Sequence, residues 1–128
     1  MNDVVQEWVS KAEGDYRTAN REFAVTDEPN YDAVCYHAQQ CIEKLMKANL
    51  IEREIPFPRT HNLVQLAGLL KPALPAGKLW SLYDLRFLSQ AAVAYRYPGE
   101  VAEYEDAREA LAICSRLRIE LLAMLGVG

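Results

Sequence analysis

The sequence predicts an all-α protein, an up-and-down bundle of four long helices plus one short helix. Three observations predict it. Apolar residues recur at steps of three and four along nearly all of the 128 residues. Breaks rich in proline and glycine divide the chain into segments of helical length. No segment alternates apolar and polar residues as a half-buried strand would, and there is no internal repeat or low-complexity tract.

The first helix is written in Val5, Trp8, Val9, Ala12, Tyr16, Ala19 and Phe23, which share one stripe. Glu7, Lys11, Asp15, Arg17 and Glu22 are assigned to the opposite, solvated face. The helix should stop near Thr26–Asn30, because Pro29 disfavours a helical Glu28. Asn30 then suits the N-cap of a second helix with Tyr31, Val34, Cys35, Ala38, Ile42, Leu45 and Asn49 on one side. Tyr36, His37, Gln39, Gln40, Glu43, Lys44 and Lys47 border that stripe.

Pro56 and Pro58 cannot lie in a helix interior, so Arg53–Arg59 reads as an extended connection. Thr60 is expected to cap a short third helix that turns Leu63, Leu66, Ala67 and Leu70 inward and ends in Lys71–Gly77. A fourth helix is expected from about Gly77 to Tyr95. Its Leu79, Trp80, Leu82, Leu85, Phe87, Leu88, Ala91 and Ala94 cover more than one face, which predicts a central helix or one packed on a second chain. The last helix is expected from near Glu100, with acidic residues in its first turns, where the helix dipole favours them. Tyr104, Leu111, Cys114, Leu117, Leu121 and Leu125 form its inner stripe, and Arg108, Arg116 and Arg118 follow further along.

Composition fits one globular domain over residues 1–128, with 51% apolar, 25% charged and 9% aromatic residues. A net charge of -4 argues against a broad nucleic-acid-coating surface, though not against a small basic pocket. Three cysteines, Cys35, Cys41 and Cys114, cannot all pair, and read as reduced thiols. The first fifteen residues carry charge and no apolar run, so neither a signal peptide nor a membrane anchor is expected. No stretch approaches the roughly 20 apolar residues that span a bilayer. The expectation is a cytoplasmic protein with no membrane contact.

Several chemistries lack their residues. There is no glycine-rich phosphate loop, dinucleotide fingerprint, paired-cysteine zinc motif or zinc-protease helix. His37 and Cys41, four apart on one helix, supply two ligands of a usual four, so no metal and no cofactor are expected. Three groups remain as candidates. Lys44 and Lys47 offer charge to a phosphate, or else sit on a solvated face where Glu43 and Lys47 pair at i,i+4. His61 lies beside Thr60 and Asn62 at a helix start, where an anion or an acid–base role competes with plain capping. Arg96, between Tyr95 and Tyr97 and ahead of Pro98, presents either a planar fork for phosphate with tyrosines to stack on a base, or a C-capping side chain.

These elements together resemble the HEPN family of small helical domains associated with nucleotide binding. The matching features are Trp8, Ala12 and Asp15; the block Tyr36–Ala48; Pro58–Leu63; and Tyr95–Pro98. The resemblance spans essentially the whole chain. It implies a bundle of four to five helices that usually dimerises. It also implies frequent pairing of small prokaryotic members with a minimal nucleotidyltransferase in toxin–antitoxin-like systems, and, in many members, metal-independent ribonuclease activity. The family's ribonuclease signature is an arginine followed after four to six residues by a histidine. Here His61 follows Arg53 after seven residues and Arg59 after one, and no histidine follows Arg96. No catalytic residue therefore carries over. The expectation is a non-catalytic module that binds a nucleotide, or a nucleotidyltransferase partner, through Arg96, Tyr97, Tyr95, His61, Lys44 and Lys47. The alternatives are a ribonuclease that uses another site, with His61 as base and Arg96 and Lys47 on the phosphate, or a helical adaptor without ligand.

Overall fold

A computed structural model describes residues 1–95 and 97–127. Five α-helices account for most of them: α1 (Asp3–Phe23), α2 (Tyr31–Glu52), α3 (Leu63–Leu70), α4 (Leu82–Ala94) and α5 (Tyr104–Met124). A single 3-10 turn, Lys71–Ala73, follows α3, and no strand occurs among the described residues.

Pairings along the chain give the directions. Phe23 meets Tyr31, and Asp15 meets His37 and Lys44, so α1 and α2 are antiparallel. Asn49 reaches the Leu121 carbonyl and Arg53 that of Met124, while Asp32 accepts from the Ala102 amide, so α2 and α5 run parallel. Trp80 binds Glu120 and Arg116 binds Asp84, which sets α4 antiparallel to α5. The order is up, down, up, down, with α3 inserted before α4. Helix α2 packs against all four other α-helices, whereas α1 and α4 do not meet among the described residues.

The centre of the bundle is therefore α2, and α4 is peripheral. Val34, Cys35, Ala38, Ile42, Leu45, Met46 and Leu50 of α2 are wholly buried. At about 1.5–3 kcal/mol for each large aliphatic side chain, this row dominates the hydrophobic stabilisation. In α4 only Leu85, Leu88 and Ala91 are buried, while Leu82, Tyr83 and Val93, and Leu79 ahead of the helix, are exposed.

Helix boundaries differ from the expected ones for local reasons. Ser81 caps α4 through its Oγ and the Asp84 amide, so the helix begins five residues after Gly77, which adopts a positive φ in the turn after Pro75. Helix α5 begins at Tyr104 rather than near Glu100, because Glu103 and Asp106 form a reciprocal capping box. Tyr104 itself is half exposed, its ring stacked 5.3 Å from Phe23. Asn62, not Thr60, caps α3, with Oδ1 accepting from Val64 and Gln65; the Thr60 hydroxyl accepts instead from the Asn62 amide, one step earlier. Asn30 caps α2 as expected. Burial pushes the Cys35 thiol up to about 12, with Asp106 and Asp32 adding to it.

Candidate functional site

The α2 sequence puts polar residues where a central helix has no solvent to offer. Gln39, Glu43, Lys47 and Asn49 are all buried. A buried charge is tolerated only when paired and hydrogen-bonded, and the structure supplies both. Glu43 accepts from Lys47 Nζ at 3.0 Å, from Gln39 Nε2 at 3.0 Å, and from His61 Nδ1 at 3.0 Å. Burial pushes the Glu43 carboxyl up, but these hydrogen bonds together outweigh it and hold the group below its ordinary value. Gln39 also donates to the His61 carbonyl at 3.1 Å, so α2 grips both backbone and ring of that residue.

Glu43 is 5% exposed and the His61 side chain 84%, so a buried carboxylate holds one ring nitrogen of an exposed imidazole. With Nδ1 committed to Glu43, Nε2 is the nitrogen left to act outward. His61 itself lines a cleft of ≈ 410 Å³ between α2 and α4, together with Tyr36, Gln40 and Gln39 on α2, Gln90 and Val93 on α4, and Asn62. A second hollow adjoins it, sharing Tyr36 and Ala92, and extends past His37 to Tyr95. The two form one groove along α2 and α4.

On the other side of α2 a similar cluster joins α1. Asp15, buried, accepts from His37 Nδ1 at 2.8 Å and from Lys44 Nζ at 2.5 Å. Asp15 was expected on the solvated face of α1. It lies three residues after Ala12 and four before Ala19, both wholly buried, so it belongs to the stripe by spacing. His37 turns to Asp15, whereas Cys41 is buried beside Cys114 and its thiol is raised by a hydrogen bond to Cys114 and by burial. No group of three or more possible metal ligands occurs among the described residues.

The six residues singled out from the sequence separate. His61 and Tyr95 line the two ends of the groove. Burial and the neighbouring Asp106 push the Tyr95 phenol up. Tyr97 is 69% exposed beyond the end of α4. Arg96 lies outside the described residues. Lys44 borders a different crease, with Trp8 and Lys11 of α1. Lys47 turns inward to Glu43, with its ammonium 6.0 Å from the Phe57 ring. The polar residues that line the cleft without being among those six are Tyr36, Gln39, Gln40, Asn62, Ser89 and Gln90, and Glu43 holds His61 from behind. Nothing in their spacing separates Gln90 or Ser89 from other helix-surface residues.

The sequence profile of the HEPN domain matches residues 5–122, from the first helix through nearly all of the last. The chain belongs to the HEPN domain family. This HEPN chain is also similar in fold to a crystal structure described as that of an archaeal HEPN homologue. The two share 22% sequence identity and a TM-score of 0.69, over 93% of this chain and 95% of that one. No curated protein matches the sequence. Among the described residues, no helix of this HEPN chain is long and apolar enough to cross a membrane.

Proposed function

We propose that this HEPN chain is a non-catalytic binding module whose α2–α4 groove receives a nucleotide, and that it works with a minimal nucleotidyltransferase in a toxin–antitoxin-like pair. The observation that carries the binding part is the groove itself, with His61 at one end and Tyr95 at the other and the Tyr36 ring between them. Concave sites of this size lined by aromatic and a few polar groups are the usual places for small ligands. The nucleotidyltransferase partner rests on family membership. A homodimer is part of the same proposal, and the exposed Leu82, Tyr83, Val93 and Tyr97 along and beyond α4 offer it an apolar face.

The test is thermal melting with millimolar ATP and AMP. A ligand that binds only the folded state raises the melting temperature, so a rise of several degrees that disappears in Tyr36→Ala supports the reading. No rise with either nucleotide overturns the groove's role. Failure of a co-expressed nucleotidyltransferase to co-purify overturns the pairing.

A second reading has one observation behind it, the 3.0 Å contact between Glu43 and His61 Nδ1. A carboxylate that orients a histidine leaves Nε2 as a base for a ribose 2′-hydroxyl, as a metal-independent ribonuclease requires. RNA cleavage abolished by His61→Ala supports it. Cleavage that survives both His61→Ala and Arg96→Ala defeats it.

A further inference from the structure

The groove's chemistry goes beyond a general nucleotide site, because among the described residues the usual handles for a phosphate are already taken there. Phosphates are held by lysine or arginine side chains and by the free amides of a helix N-terminus. Lys47 is committed to Glu43, and Lys44 to Asp15 on the far side of α2. The first amides of α3, which opens onto the cleft, are also used: Leu63 N donates to Ser89 Oγ at 3.1 Å, and Val64 and Gln65 donate to Asn62 Oδ1. No lysine or arginine lines the cleft among the described residues.

What the cleft leaves open is uncharged. Among the described residues, the Gln90 amide, the Gln40 Oε1 and the Asn62 Nδ2 have no hydrogen-bond partner, although the Gln40 Nε2 donates to Gln39 at 2.8 Å and the Asn62 Oδ1 is the α3 cap. So the cleft offers both amide acceptors and amide donors. These face a slot with an aromatic wall, Tyr36, on α2 and an aliphatic one, Ala92 and Val93, on α4. The Tyr36 ring is 39% exposed and is held edge-on by His37 at 5.2 Å.

We infer that this cleft reads the base of the nucleotide and not its phosphates, with Tyr36 as the stacking platform and the amides of Gln40, Gln90 and Asn62 on the hydrogen-bonding edge. A planar heterocycle with donors and acceptors around its rim satisfies both the slot and its amides, since asparagine and glutamine match base edges and an aromatic side chain stacks on any base. The phosphates then lie outside the slot. The inference rests on the groove being the nucleotide site.

The experiment is calorimetric titration of the full chain with the four ribonucleosides, their 5′-monophosphates, ribose 5-phosphate and tripolyphosphate. At least one nucleoside is expected to bind within about threefold of its monophosphate, with no binding of ribose 5-phosphate or tripolyphosphate. Tyr36→Ala and Gln90→Ala should each weaken that nucleoside by tenfold or more. Both side chains are solvent-accessible, and an unchanged melting temperature of the free variants verifies that they fold. Nucleotides that bind while every nucleoside fails, or binding unchanged in both variants, overturns base reading and leaves a nucleotide site standing. Failure of nucleosides and nucleotides alike removes the groove reading with it.

Discussion

Two sides of α2 carry the same three side-chain types in different service. Facing α1, Asp15 joins His37 and Lys44; facing α3 and α4, Glu43 joins His61 and Lys47. In the first cluster every member lies between two long packed helices, and the carboxylate acts as a cross-brace. In the second the carboxylate and the lysine are deeper, while the histidine belongs to a loop and is almost wholly exposed. Similar pairs therefore divide into a brace and a mount. The difference lies in which element supplies the histidine: a rigid helix on one side, the seam between a proline-bearing connection and a short helix on the other.

The largest test of that division is removal of the carboxylates. Glu43→Ala leaves the Lys47 ammonium buried without its partner, which costs about 3–5 kcal/mol for a broken buried pair. Asp15→Ala strands Lys44 and His37, which are more accessible and regain water, so about 1.5–3 kcal/mol is expected. Urea unfolding at neutral pH measures both. An Asp15 variant less stable than the Glu43 variant would reverse the assignment of depth.

Acid sharpens the comparison further. The folded-state value of Glu43 lies below its ordinary 4.5, whereas the unfolded chain restores that value. The stabilisation is therefore fully present above about 4.5 and is lost as the pH falls through the lower folded value. Glu43→Gln removes this dependence. Its unfolding free energy should be lower than that of the parent at pH 7, and the gap should narrow as the pH falls below about 4.5 and through the lower folded value. A gap that stays constant across that range shows that Glu43 does not titrate as a paired carboxylate.

The sequence made the bundle legible because its periodicity is a surface property of helices, and apart from α4 and the half-exposed Tyr104 the apolar stripes point as the spacing says. It failed where caps and neighbours decide. Ser81 and Glu103 moved two helix starts by local hydrogen bonds that outweigh the apolar pattern upstream. Polar residues on α2 read as solvated because Glu43 and Lys47, four apart, have the spacing of an ordinary surface ion pair. Only the packing of four other helices around α2 takes them out of water. Asp15 was legible in principle, from its place between Ala12 and Ala19. Glu43 with His61 was not, since eighteen residues and a chain reversal separate them.

The smallest expected effect is the one that isolates the mount from the brace. His37→Ala removes a 2.8 Å hydrogen bond to a buried carboxylate within the bundle and should cost about 1–2 kcal/mol. His61→Ala removes a ring that is mostly in water, and Glu43 keeps Lys47 and Gln39, so the loss should stay within about 0.5 kcal/mol. Binding should fall in both, because His61 stands at the cleft and His37 lines the adjoining hollow and packs edge-on against Tyr36, so only for His61 should the loss of binding come without a loss of stability. Thermal melting of both variants with and without AMP reads stability and binding at once. If His61→Ala destabilises as much as His37→Ala, the Glu43–His61 contact is a second brace, and the groove has lost the argument that its histidine is kept exposed for a ligand.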